Sequence, residues 1–250
     1  MRKFNYKEFL WFVLFICFTL YLYNLLSTGK INMFLAPRMH GYAWISLISF
    51  CLLSMHKFMR IFTFPNRKSL EKSFILLLTT LITGVNALSM AFDTSVVTNK
   101  GIISNGRIVS QGVNNTDSKK QIDYDKRESI EIQDYNYLRE LDMIWNNLDK
   151  YKGKTIIISG FVYKEDNFSE KEFAVARMLM TCCAADAQII GFMANWANAN
   201  ELEKDQWVRV YGTIDSTKYK KDGKNESAYP LIKVDKLEKI NKPENIYINP

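Results

Sequence analysis

Two long stretches without a charged residue constrain this chain more than anything else in it. Phe9 to Leu26 covers 18 residues and Ser73 to Phe92 covers 20, all free of Asp, Glu, Lys and Arg. A helix rising about 1.5 Å per residue needs roughly 20 residues to cross the hydrocarbon of a bilayer, so each stretch is long enough to span. A third apolar stretch, Gly41 to Met55, has 15 uncharged residues. It spans if it extends back toward Pro37, with Arg38 and His40 at the interface, and lies on or re-enters the membrane if it does not. A cleavable signal peptide would share the charged start of the first stretch. No A-x-A-like site follows it, however, and two more apolar stretches do. The sequence therefore predicts three transmembrane helices within residues 1–92.

The formal charge of +7 divides unevenly. Residues 1–92 hold 10 of the 33 Lys/Arg and 2 of the 26 Asp/Glu, leaving 23 and 24 for residues 93–250. The basic character belongs to the membrane half, and the remainder is near neutral. A nucleic-acid-tracking domain carries its own excess of Lys and Arg, so no nucleic-acid partner is expected. The positive charges also orient the chain. Arg2, Lys3 and Lys7 precede the first helix, and Lys57, Arg60, Arg67, Lys68 and Lys72 lie between the second and third. Placing both groups inside makes the chain a multi-pass cell-membrane protein with a cytoplasmic N-terminus and an extracytoplasmic C-terminal domain.

No acidic residue lies within these apolar stretches, and ion pathways are usually built from intramembrane carboxylates or histidines. Alone, the helices make a poor transporter. The small residues of Gly84-Val85-Asn86-Ala87 suit close helix packing, either on a partner or within the bundle.

Asp93 to Gln133 is rich in Ser, Asn, Gly, Lys and Asp. It reads as a tether with at most short strands, giving a linker over 93–135. Asn136 to Leu148 carries Tyr137, Leu138, Leu141, Ile144, Trp145 and Leu148 at helical spacing. Five β-segments follow: Thr155–Tyr163, Phe173–Thr181, Ala187–Ala194, Trp207–Ile214 and Ala228–Leu237. Gly160 and Gly212 mark bends, and Asp222-Gly223 is a hairpin signal between the last two. A short helix is expected within Asn195 to Gln206. The fold class is α+β: three N-terminal transmembrane helices and a small all-β, OB-like barrel over 136–250 with a leading helix, a small sandwich being the alternative.

The densest unusual segment runs from Arg177 to Gln188 and contains Cys182-Cys183-Ala184-Ala185-Asp186. Adjacent cysteines in a regular strand face opposite ways, so a turn is required before both can serve one site. Thiolate and carboxylate together suit zinc, with Cys182, Cys183 and Asp186 as ligands, three of the four that zinc usually takes. The competing reading packs a cysteine in the core and uses Asp186 to cap a turn. Arg177, in mid-strand, is a candidate partner for Asp186 or for a ligand carboxylate, which makes Arg177 and Asp186 the candidate ligand-binding pair. Trp196, Trp207, Phe192 and Tyr211 suit either a base-stacking surface or core packing. No Gly-rich phosphate loop and no Ser-His-Asp set is present, and the polar half has no histidine to serve a cysteine nucleophile, so no enzyme is expected.

With these segments in place, the chain resembles the YcgQ-like family of bacterial permease accessory subunits. The resemblance rests on Asp93-Thr94-Ser95-Val96-Val97, Lys100-Gly101, Gly160-Phe161-Val162-Tyr163, the strand from Arg177 into Cys182-Cys183-Ala184-Ala185-Asp186, and Trp207-Val208-Arg209-Val210-Tyr211-Gly212-Thr213. Cys183 and Asp186 match the family's Cys-x-x-Asp pattern, and Cys182 stands where a relative can have histidine. The resemblance implies a lipid-embedded accessory partner of a polytopic permease, with a divalent metal such as zinc as the cargo or bound ion. Some members carry a His-rich loop between the second and third helices. Here His56 to Lys72 has a single histidine and is basic instead.

Overall fold

A computed structural model describes residues 4–62, 72–89, 128–166, 168–219 and 227–250. The chain divides into two units, Met1–Asp93 and Thr94–Pro250.

The first unit contains α1 (Tyr6–Ser27), α2 (His40–Arg60) and α3 (Lys72–Ser89). Asn5 caps α1 by accepting from the Glu8 N–H, which satisfies one of the orphan donors of the first turn. Two 3-10 turns, Lys30–Met33 and Pro37–Met39, link α1 to α2. Phe12 meets Phe58, Phe18 stacks on Phe50, and Leu25 clusters with Ala43, so α2 runs antiparallel to α1. At one end Lys57 pairs with Glu8 at 2.8 Å, and the Asn5 N–H donates to Ile61 O. Trp11 contacts Phe74, and the Tyr21 hydroxyl donates to Gly84 O at 2.8 Å, so α3 runs parallel to α1. Gly84 therefore serves packing within this unit.

Among the described residues two helices are long and apolar enough to cross a membrane, Tyr6–Ser27 and Pro37–Arg60. The middle stretch, which looks too short by its uncharged run alone, reaches 24 residues once the 3-10 turn at Pro37 is included. The third is an apolar helix, Lys72–Ser89; residues 90–92 of its uncharged stretch lie outside the described residues, as do Arg67 and Lys68.

The second unit is a barrel. Its strands are β1 (Ser129–Ile132), β2 (Thr155–Tyr163), β3 (Glu172–Leu179), β4 (Gln188–Asn195), β5 (Trp207–Tyr219), β6 (Ser227–Lys239) and β7 (Tyr247–Ile248). The sheet order is β1-β2-β5-β6-β4-β3-β7, and an additional β2–β3 pairing closes β2 to β6 into a five-stranded ring. Within the ring β4 and β6 are parallel, and the other pairs are antiparallel. β1 adds to β2 in parallel, so the folded domain begins ahead of the helix, within the segment expected to be a tether.

Alternation fills the barrel. Ile156 and Ile158 of β2, Phe173 and Val175 of β3, and Val208 and Val210 of β5 are all in the core. The helical spacing is also realised: α4 (Tyr137–Asn146) buries Tyr137, Leu138, Leu141 and Ile144, and a short α5 (Leu148–Tyr151) follows. Glu140, on the same helix, is fully buried as well and lies 3.3 Å from Arg139. Trp145 meets Tyr229 of β6 edge to face.

Both expected glycine bends are places where a neighbouring strand comes close. β2 runs through Gly160 unbroken, and a Cβ there would lie 2.5 Å from the Ala176 carbonyl oxygen, so glycine permits the close approach of β3. At Gly212 a Cβ would likewise collide with the Lys233 carbonyl oxygen, and the β5–β6 register shifts beside it, with Asp235 of β6 as the extra residue. β5 and β6 run 13 residues each, longer than their apolar centres suggest. The Asp222-Gly223 turn lies outside the described residues. A 3-10 turn at Ala199–Glu201 is the short helix expected between the third and fourth ring strands.

Candidate functional site

The paired cysteines sit in a turn between β3 and β4. β3 stops at Leu179, short of the expected Thr181: the Met180 N–H still donates to Ile248 O of β7, but from Thr181 on the backbone bonds to Asp186. The Thr181 N–H donates to Asp186 Oδ1 at 3.1 Å, and the Cys182 N–H donates to Oδ2 at 2.7 Å. Cys183 is extended and precedes a 3-10 turn over Ala184–Asp186. The two sulfurs, both half-buried, are 3.8 Å apart.

Electrostatics follow from this geometry. Burial acts to raise the Asp186 carboxyl, but hydrogen bonds from the Cys182 thiol and from nearby backbone N–H groups outweigh it and hold the group below its ordinary 3.8. The Cys182 thiol is pushed up to about 11, first by its hydrogen bond to the Asp186 carboxylate and then by Cys183. Cys182, Cys183 and Asp186 are thus brought to one turn, with each carboxylate oxygen occupied by a backbone donor. Among the described residues no group of three or more His, Cys, Asp and Glu side chains is arranged to hold a metal ion.

Arg177 is elsewhere. Its partner is Asp134 and not Asp186: Nη1 lies 2.7 Å from Asp134 Oδ1. By strand alternation Arg177 falls on the register that gives Phe173, Val175 and Leu179 to the core. It occupies the place where β3 has left β2, since their pairing covers only Phe161–Tyr163 against Ala174–Ala176. The side chain is 4% exposed and that of Asp134 is 60% exposed, so a buried cation is held by a carboxylate that faces water. The guanidinium lies 5.1 Å from the Trp207 ring centroid, and Nη2 donates to Asn245 O at 3.4 Å. Nε is buried without a hydrogen-bond partner, although an arginine has five N–H donors to satisfy.

Around Arg177 opens a cleft of 440 Å³. Its floor is the outward face of the β2–β5 pair: Ile157 and Ser159 of β2, and Trp207 and Arg209 of β5. Arg209 Nε donates to Ser159 Oγ at 3.1 Å. One wall is the β1–α4 connection with Gln133, Asp134 and Tyr135, and the other is Ile240, Asn241 and Pro243 beyond β6. Asn136 fixes the first wall: its Oδ1 accepts from the Gln133 N–H at 2.7 Å, and its Nδ2 donates to Glu131 O at 3.0 Å. Tyr135 stands at the rim, 84% exposed.

Sequence reasoning singled out Arg177 but missed Asp134 and Arg209. Asp134 fell in the supposed tether, although the alternation Ser129-Ile130-Glu131-Ile132 is a short strand signal just ahead of it. The four aromatic candidates do not form one surface. Phe192 is in the core and Trp196 packs against it, whereas Trp207 and Tyr211 fall on the outward alternation of β5. Tyr211 is engaged there by Glu238 and Lys236.

Comparison with known proteins adds a family. A match 26% identical over 125 residues links the chain to the UPF0703 protein YcgQ of Bacillus subtilis (strain 168), covering 50% of this chain and 43% of the relative. The aligned part therefore spans less than half of the relative's length. Two solved structures align with the chain at a TM-score of 0.25. The mitochondrial single-stranded DNA binding protein Rim1 of S. cerevisiae is 9% identical, over 37% of this chain and 99% of its own. The small single-stranded DNA-binding protein of Streptomyces coelicolor is 16% identical, over 35% and 94%. Scores this low bear on neither fold nor function. Residues 108–250 match the DUF1980 C-terminal domain, a span that includes the whole barrel and the cleft, and the chain belongs to this family.

Proposed function

We propose that this chain is a membrane-anchored, non-enzymatic accessory subunit of a polytopic permease, with the barrel binding the transported solute or gating its access. The observation that carries this reading is the uncovered apolar surface of the helices. Only 17% of the apolar window of α1 and 11% of that of α2 is buried within the protein. Leu20, Ile45, Leu52 and Met59 are each about 60% exposed or more. Contiguous apolar surface on this scale belongs against lipid or partner helices and not in water. The helices supply no ion path of their own. Glu8 is the acidic residue in α1, there is none in α2 or α3, and Glu8 is paired with Lys57 at the helix end.

All three helices span in this reading. The antiparallel α1–α2 pair returns the chain to its starting side, and α3 then carries it across again. Lys57 and Arg60 share an end with the start of α1, which supports a cytoplasmic N-terminus and an external barrel. The ring β2-β3-β4-β6-β5, with its single parallel pair between third and fifth strands, supports an OB-type barrel. Tagged chain extracted in mild detergent should bring down a many-helix permease. Repeated recovery of the chain by itself overturns the reading.

A further inference from the structure

We propose that the cleft is a carboxylate-binding site in which Asp134 acts as a resident substitute for the ligand. The inference rests on the reading of the barrel as the solute-binding part of the protein, and it names the chemical class of solute.

Arg177 is unusual in how it is paired. A guanidinium held out of water is costly unless it is paired and hydrogen-bonded. Structural arginines of this kind are normally enclosed with their carboxylate partner. Here the partner is 60% exposed, while the arginine is 4% exposed. Asp134 can therefore turn outward into water while Arg177 cannot follow it, and the cost of that move is the unpaired Arg177 charge, which a ligand carboxylate would compensate. Once Asp134 leaves, Nη1 is vacated, and with Nη2, whose bond to Asn245 O is a long 3.4 Å, it makes up the end-on fork of the guanidinium. Planar bidentate donation is the geometry in which arginine holds a carboxylate.

The site also shows which anion fits. A carboxylate oxygen already sits 2.7 Å from Nη1, so a ligand carboxylate in the same place needs no rearrangement of the floor. Trp207 backs the guanidinium, and Arg209, fixed by Ser159, supplies a second cation on the same floor. Glu131 and Asp134 keep the unliganded cleft near neutral. A small dicarboxylate is accordingly the probe of choice. Asp134 competes for Arg177 in every unliganded molecule, and a site that is mostly self-occupied has its apparent affinity reduced by the competent fraction.

The test uses full-length chain in mild detergent, with succinate as probe and inorganic phosphate as control, followed by calorimetry and by the thermal unfolding midpoint. Asp134→Asn removes the competing charge while keeping the side-chain shape. It is expected to bind succinate roughly tenfold more tightly than the parent, and its lower melting temperature should recover on adding succinate. Arg177→Lys keeps the charge but loses the planar fork and should abolish succinate binding. If Arg177→Lys does not fold, the Asp134→Asn comparison decides alone. Unchanged or weaker succinate binding by Asp134→Asn overturns the proposal, as does binding of phosphate as tight as that of succinate. Co-purification of the permease with Asp134→Asn is scored separately. Succinate binding without a permease partner removes the accessory-subunit reading and leaves this site, and a permease partner without succinate binding does the reverse.

Discussion

At the scale of single residues, Asp186 and Cys182 make one device. The carboxylate accepts two backbone N–H groups and the thiol, which is how an aspartate holds a turn that no strand supports. Asp186→Ala should destabilise the barrel by about 1 kcal/mol, measured by chemical denaturation, because two donors lose their acceptor at a partly exposed site. The pH dependence has a definite sign. The folded titration lies below the ordinary 3.8, so the stabilisation is complete above that value and is lost as pH falls through the folded one. The amide resonances of Thr181 and Cys182 should therefore titrate together with a midpoint below 3.8, and a midpoint at or above it would contradict the hydrogen-bonding. Cys182, pushed up to about 11 from 9.0, carries roughly a hundredth of the thiolate of an ordinary cysteine at pH 8, and thiolate is the reactive form. Iodoacetamide should label it more slowly than a free thiol, by less than that factor because a thiolate of higher pKa is the better nucleophile, and labelling at the free-thiol rate would reject the assignment.

At the scale of elements, the crossing of β2 and β3 depends on Gly160. A methyl group there meets the Ala176 backbone at 2.5 Å to oxygen and 3.0 Å to nitrogen, and backbone cannot yield as a flexible side chain can. Gly160→Ala should cost about 3 kcal/mol, the upper end of what overpacking takes from a core, read as a fall in the denaturation midpoint. Ile158, fully buried on the same strand, gives the opposite defect. Ile158→Ala leaves a cavity and should cost about 2–5 kcal/mol. Strand β2 was legible residue for residue in its β-branched run, and so were the buried positions of α4, because both follow from local periodicity. The end of β3 was not. Thr181 extends the apolar pattern, but its backbone is taken by a side chain five residues on, which periodicity does not register. Gly160 and Gly212 were both readable as irregularities of their strands, but the crowding that requires a glycine at each depends on a strand that arrives from elsewhere in the chain.

At the scale of the whole molecule, two units of opposite character share one chain. The barrel has its own buried core, and β1 is the first of its described strands, so a fragment covering 128–250 should unfold cooperatively in detergent-free buffer. A fragment starting at Asn136 lacks β1 and with it the buried Ile130 and Ile132. Its midpoint should fall well below that of the longer fragment, and equal midpoints would deny β1 its role. Orientation belongs to this scale as well. Protease applied to intact cells should cut the barrel and spare the N-terminus, and protection of the barrel would move it to the cytoplasmic side.

What the sequence determined by itself is what short-range pattern and composition control. Uncharged runs of membrane length, the uneven placement of Lys and Arg, the helical spacing ahead of the barrel and the β-rich runs behind it all lie within stretches of a few to twenty residues. The packing of Gly84 against Tyr21, the strand order that closes the barrel and the partner of Arg177 were decided only by the tertiary structure. Arg177 shows why. Its neighbours in sequence are apolar strand residues, and its ion-pair partner lies 43 positions away in a segment whose composition reads as tether. The β1–β2 pairing brings that segment alongside the barrel, and only then do a buried cation and an exposed carboxylate become one site.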